Sequence, residues 1–159
     1  MNPYTIKLWR VVALHESPTL TDPQIADTPE RIAAFYHETI ALDPRHSKDV
    51  ESLYVIHMNT RRRIIGYHLV ATGTLDRVLS HSREVFRAAI VANCAAIVLL
   101  HNHPSGDPTP SEGDIRVTRD LIRAGQVLKI DVIDSVIIGN ATPDRPQGYF
   151  SLREHGYFN

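Results

Sequence analysis

Two histidines and an aspartate lie where an apolar run gives way to a loop rich in proline and serine. The segment Leu99–Asp114 reads LLHNHPSGDPTPSEGD and places His101 and His103 directly after the apolar residues. In an extended segment residues i and i+2 point to the same side, so the two imidazoles can face one point. Asp114 falls in the first turn of the helix that is predicted next, and from there its carboxylate can fold back towards that point.

Two imidazoles and one carboxylate form a ligand set that suits a divalent metal ion. The spacing predicts Zn²⁺ held by His101, His103 and Asp114, with a fourth position left to water. The same set occurs in the facial triad of Fe(II) oxygenases, but those enzymes normally have an all-β double sheet. Spacing alone leaves the metal site and an ordinary polar loop as two open interpretations.

The serine of this segment has two compatible roles. Ser111 and Asp114 form a capping box at the start of a helix. A serine hydroxyl can accept a backbone hydrogen bond and still donate its proton to a reacting oxyanion. A hydrolytic metal site also needs a base, and spacing does not choose among the candidate carboxylates, which include Glu38, Glu51, Glu84 and Glu112.

The remaining pattern alternates strands and helices, which predicts an α/β or α+β layered domain. The segments Glu51–Met58 and Arg63–Ala71 predict a hairpin buried on much of both faces. Thr28 and Pro29 predict the start of one helix, and Ser82 is predicted to cap another. Other predicted elements are a strand at Ile6–Leu14, a strand at Ala95–Leu100, a helix at about Glu112–Leu128 and a strand at Val132–Ile138.

Composition excludes several classes of protein. The chain has 159 residues, which fits one domain, and a formal net charge of -1, which does not favour nucleic acid or an anionic membrane as a partner. Cys94 is the only cysteine, so no disulfide or cysteine-pair metal site can form and a zinc deaminase is excluded. With no long apolar run and no signal pattern, we expect a cytoplasmic protein without a membrane partner.

The segment HNHPSGDPTPSEGD resembles the JAMM metalloprotease signature: His-x-His, seven residues, Ser, two residues, Asp. More narrowly, it resembles the RadC branch of that superfamily, and the likeness extends from about Glu51 to the C-terminus. The supporting matches are Glu51-Ser52-Leu53, Gly73-Thr74, Ser82-Arg83-Glu84, Asp134, Ile137-Ile138-Gly139 and Ser151-Leu152-Arg153-Glu154-His155-Gly156.

This resemblance implies a single JAB/MPN-like domain with a mixed sheet flanked by helices, in a layering like that of cytidine deaminases. Residues 51–159 would form the RadC-like metal-binding domain, and residues 1–50 a strand and helix of the same globular unit. The resemblance also implies that Glu51 is the general acid/base. His101, His103 and Asp114 would be the zinc ligands, and Ser111 the hydroxyl that helps to hold the tetrahedral intermediate.

The activity implied is that of a zinc metallopeptidase or isopeptidase acting on a peptide or an isopeptide-linked protein. Two alternatives stay open: a DNA-repair role with nucleic acid as partner, and a metal-binding scaffold without turnover. The sequence departs from the family pattern in two places. The region before Glu51 is too short for the usual helix-hairpin-helix segment, and Asp134 is followed by Ser135 where the family has histidine. The other histidines are expected to have structural roles or to lie on the surface: His15, His37, His46, His57, His68, His81 and His155.

Overall fold

A computed structural model describes residues 25–73 and 81–158, and these residues confirm the mixed α/β prediction. The predicted strand Ile6–Leu14 lies outside the described residues. Among the described helices, none is both long and apolar enough to cross a membrane. The elements are α1 (Pro29–Phe35), continued by a π-helical turn (Tyr36–Ile40), β1 (Ser52–Met58), β2 (Ile64–Thr72), α2 (Ser82–Val91), β3 (Ala96–Asn102), α3 (Glu112–Leu128), β4 (Asp131–Ile138) and β5 (Tyr149–Ser151).

The five strands form one mixed sheet in the order β2-β1-β3-β4-β5. β3 and β4 are parallel and are connected through α3, whereas every other neighbouring pair is antiparallel. β1 is buried along its whole length, but β2 is only half-buried or exposed. The predicted burial of the hairpin therefore holds for β1 and is wrong for β2, because β2 lies at the edge of the sheet with a neighbouring strand on one side only.

Apolar side chains of the central strands alternate between two cores, one on each face of the sheet. Tyr54, Ile56 and Met58 belong to the core that includes α1. Leu53 and Val55 belong to the other core, which includes residues of α2 and α3. The alternation follows from the two-residue period of a β-strand. The sheet is thus the middle layer of the domain, with helices packed on both of its faces.

The starts of the first two helices differ in how well the sequence predicts them. α1 begins as predicted, with Thr28 accepting a hydrogen bond from the Arg31 N–H and with Pro29 as the first helical residue. The predicted capping role of Ser82 is wrong, because Ser82 is already the first helical residue. His81 occupies the N-cap position with an extended ψ of 135° and makes no side-chain capping bond.

Candidate metal centre

Three separate parts of the chain meet at the candidate site because of the strand order. β1 and β3 are antiparallel neighbours, and Leu53 pairs with His101. Glu51, which immediately precedes β1, therefore lies beside the end of β3, where His101 and His103 are found. α3 begins close by and carries Asp114 in its first turn. The sheet register thus brings a residue far upstream to the segment of two histidines.

Glu51, His101, His103 and Asp114 form a cluster that could hold a metal ion. Each offers a nitrogen or oxygen atom, and these four atoms all lie within 4.8 Å of one another. His101 Nε2 lies 3.2 Å from His103 Nε2. Asp114 Oδ1 lies 3.3 Å from His101 Nε2, and Asp114 Oδ2 lies 3.5 Å from His103 Nε2.

These separations fit the donor set to a tetrahedral ion. For metal–ligand bonds of about 2.0–2.1 Å, ideal tetrahedral geometry places neighbouring ligand atoms about 3.3 Å apart. The separation of 3.2 Å between the two Nε2 atoms and that of 3.3 Å between His101 Nε2 and Asp114 Oδ1 are close to this edge length. Two neutral imidazoles with one carboxylate are also the donors that a borderline-soft divalent ion prefers.

A backbone carbonyl orients one of the two imidazoles. His103 Nδ1 lies 2.7 Å from the carbonyl oxygen of Asp107, so Nδ1 is the protonated donor of this hydrogen bond. The other nitrogen, Nε2, faces the cluster, where it can bind a metal ion once it is unprotonated. Sequence reasoning missed this contact with the Asp107 carbonyl, since a backbone group gives no side-chain signal.

Hydrogen bonds favour the ionised form of the buried Asp114 carboxyl group. The side chains of His101 and Asp114 are both 2% exposed, and that of His103 is 16% exposed. Burial alone would raise the pKa of Asp114, but its hydrogen bonds to the two histidines and to Ser111 hold that pKa well below its usual range. Burial likewise opposes charge on His103, yet Asp114, the Asp107 carbonyl and Glu51 give its pKa a net upward shift. The cluster therefore contains a buried carboxylate, which favours a positive charge beside it.

Ser111 caps α3 as predicted and contacts one oxygen of Asp114. Its Oγ accepts a hydrogen bond from the Asp114 N–H at 3.1 Å and donates to Asp114 Oδ2 at 2.7 Å. Oδ2 also accepts the Ser111 N–H at 2.7 Å. The two oxygens of Asp114 thus have different partners: Oδ2 accepts the hydrogen bonds of the capping box, while Oδ1 faces His101. In this structure the Ser111 proton is directed at Asp114 and not at open space.

Ser135, which departs from the family pattern, lies behind the cluster. Its Oγ accepts a hydrogen bond from Thr118 at 3.1 Å, and both side chains line a small cavity against His101 and Asp114. Asp134 next to it is buried and accepts hydrogen bonds from Ser151 Oγ and from the backbone of Ser135 and Arg153. Ser135 and Thr118 thus line the interior side of the cluster, whereas the hydrogen bonds of Asp134 connect β4 with β5 and the segment after it.

The carboxylates that spacing could not rank are now distinguished by position. Glu51 is a member of the cluster. The other three candidates lie elsewhere: Glu38 is exposed in the π-helical turn after α1, Glu84 lies in the first turn of α2, and Glu112 is exposed in the first turn of α3. The structure thus gathers Glu51, Ser111 and the three predicted ligands into one site. With a half-buried carboxylate beside a buried donor set, this arrangement can hold a divalent ion and move a proton next to it.

Comparison with known proteins identifies related chains. The profile of the RadC-like JAB domain family matches residues 26–157. A UPF0758 protein of Thermotoga maritima is 38% identical over 134 residues, which are 84% of this chain and 55% of that protein. A UPF0758 protein of Pelodictyon phaeoclathratiforme is 48% identical over 106 residues, which are 67% of this chain and 45% of that protein. The chain spans about half the length of the curated relatives it matches.

Proposed function

Because the chain belongs to the RadC-like JAB domain family, we propose that it is a zinc-dependent hydrolase that cleaves amide bonds in peptides or isopeptide-linked proteins. His101, His103 and Asp114 would hold the zinc ion. The observation that carries the proposal is the position of Glu51, whose carboxylate belongs to the same 4.8 Å cluster as the three ligands. A structural metal site has no need of an additional half-buried carboxylate beside it.

Zinc supplies Lewis acidity at such a site, lowering the pKa of water and polarising a carbonyl oxygen. The chain's own part is then to move a proton. Glu51 would accept a proton from the water whose oxygen attacks the amide carbon, and would deliver that proton to the nitrogen as the C–N bond breaks, which leaves a carboxylic acid and an amine. A carboxylate within hydrogen-bond reach of the reacting atoms suits both steps.

Ser111 and the histidines hold the geometry of the reaction. Ser111 donates to Asp114 Oδ2 in the resting site, and a rotation of its hydroxyl redirects the same proton to an oxyanion that forms beside the ligands. The Asp107 carbonyl keeps the His103 ring from turning during this change. Both contacts are preorganised by the helix start and the loop, so little structure has to be ordered during the reaction.

The test is zinc-dependent cleavage of a proteome-derived peptide and isopeptide library, with new amino groups quantified by mass spectrometry. Glu51→Gln removes the proton acceptor but keeps the ligands, so we expect it to retain zinc and to lose activity by about 10²- to 10⁴-fold. Glu112→Gln, which removes the exposed carboxylate at the start of α3, is the matched control and should keep wild-type activity.

Two outcomes would contradict the proposal. Equal cleavage by the Glu51→Gln and wild-type proteins would remove Glu51 from the mechanism. A wild-type protein that holds zinc and yields no new amino groups would favour a metal-binding scaffold without turnover. Zinc-dependent cleavage of nucleic acid in a parallel incubation would instead support the DNA-repair alternative.

A further inference from the structure

Asn102, the residue between the two histidines, makes three hydrogen bonds with its side chain. It is the last residue of β3 and is 4% exposed. Its Oδ1 accepts from the Ser52 N–H at 3.1 Å. Its Nδ2 donates to the Val50 carbonyl at 3.0 Å and to the Lys48 carbonyl at 3.4 Å. One acceptor and two donors are thus used together, and the three partners fix the orientation of the carboxamide.

All three partners belong to the short segment that carries Glu51. The Val50 carbonyl precedes Glu51 and the Ser52 N–H follows it, so the Asn102 side chain spans the backbone on both sides of Glu51. The Glu51 carbonyl itself accepts the Gly73 N–H at 2.8 Å, from the end of β2. The backbone of Glu51 is therefore held from β3 on one side and from β2 on the other.

The strand register explains why a side chain is used for this purpose. The ladder between β1 and β3 ends at the pair Leu53 and His101. The next antiparallel pair would be Ser52 and Asn102, but here the Asn102 side chain takes the Ser52 N–H. After His101 the backbone of β3 stays paired with β4 and then enters the loop of His103. A side chain can thus hold Glu51 while the backbone of β3 is directed elsewhere.

We propose that Asn102 is a positioning residue for Glu51, a role that rests on the proposed function of Glu51 as proton carrier. Asn102 fixes the segment Lys48–Ser52 so that the Glu51 carboxylate faces the point between the three ligands. Aspartate at this position would keep the acceptor but lose both donors, and alanine would lose all three bonds. The residue between the histidines therefore links the ligand-bearing strand to the segment that carries the base.

The test compares Asn102→Ala with Asn59→Ala in the full chain. Asn59 is the matched control because its Oδ1 likewise organises backbone N–H groups, those of Arg61 and Arg63, at the opposite end of β1. The first readout is amide hydrogen exchange of Ser52 by NMR, which needs no activity. We expect Ser52 to exchange about tenfold or more faster in Asn102→Ala and at the wild-type rate in Asn59→Ala.

The second readout separates positioning from metal binding. Asn102→Ala should keep the zinc content of the wild type, while kcat falls about 100-fold and KM changes little, since a displacement of about 1 Å has an effect of this size. The probe is the library peptide that the wild-type protein cleaves fastest. A fall in kcat no larger than that of Asn59→Ala would overturn the proposal.

The two readouts keep this proposal distinct from the proposed function. If the zinc-loaded wild type cleaves no peptide, the proposed function fails, and an unchanged Ser52 exchange rate in Asn102→Ala would overturn the positioning role independently. If Asn102→Ala does not fold, Asn102→Asp replaces it. This variant keeps the acceptor for the Ser52 N–H, so its kcat should fall while Ser52 stays protected, and a wild-type kcat would contradict the proposal.

Discussion

Replacing His57 by phenylalanine should flatten the dependence of stability on pH below neutrality. His57 lies in β1, is 5% exposed, and places its Nε2 2.9 Å from Nδ1 of His68 in β2. The second ring nitrogen of His68 lies 3.4 Å from the Glu84 carbonyl of α2. Burial, together with the neighbouring His68, lowers the pKa of His57 to about 4 from the ordinary 6.5.

The sign and size of the effect follow from that difference. Between about pH 6.5 and pH 4 the unfolded chain binds a proton at His57 that the folded chain excludes. The stability contribution is therefore complete above about pH 6.5 and is lost as the pH falls towards 4. The difference between a pKa of 6.5 and one of about 4 corresponds to about 3.5 kcal/mol in full, of which about 3 kcal/mol is lost by pH 4. Burial lowers the pKa of His68 as well, so the wild type loses still more.

The assay is urea-induced unfolding of the wild type and His57→Phe at intervals between pH 7.5 and pH 4. We expect the difference in unfolding free energy between the two proteins to change by about 3 kcal/mol across this range, in favour of the variant at low pH. His37→Phe, which exchanges an exposed histidine, is the control for the loss of one imidazole. Parallel pH profiles for the wild type and His57→Phe would refute the reasoning.

Two further predictions concern the core and the loop of the site. Phe86→Ala should lower the free energy of unfolding by about 3–5 kcal/mol in urea titrations, because Phe86 is 1% exposed in α2, whereas Ile90→Ala on the same helix, 55% exposed, should cost far less. Gly139→Ala would place a Cβ 2.5 Å from Pro108 Cδ, displacing the loop that orients His103. We expect zinc affinity to fall about 10- to 100-fold, measured by competition with a chelating dye, and an unchanged affinity would contradict this.

Much of the layered fold can be predicted from the sequence because its signals are local. The burial of β1 on both faces and the capping box at Ser111 both follow from neighbouring residues, and the structure has them as predicted. The strand β5 was not predicted, since a segment as short as Tyr149–Ser151 carries no periodic signal. The exposure of β2 was missed because edge position depends on strand order, which no local pattern encodes.

The candidate site shows the same division. The spacing of His101 and His103 predicts that both side chains point to the same side. The position of Asp114 at the start of a helix predicts that its carboxylate can reach the same point. The proximity of Glu51 depends instead on β1 and β3 being neighbours, which the residues alone do not reveal and only the family resemblance suggested. Asn102 was not recognised at all, because its role consists of hydrogen bonds to backbone atoms far away in sequence.

Metal analysis of the purified protein tests the central claim most directly. After saturation with zinc and removal of free metal, the wild type should retain about one zinc ion per chain, measured by plasma mass spectrometry. His103→Ala should lose the zinc ion, because only two of the three proposed ligands, His101 and Asp114, then remain. His37→Ala should retain the ion. Circular dichroism confirms that each variant is folded. A wild type that retains no zinc, or a folded His103→Ala that retains as much as the wild type, would contradict the account.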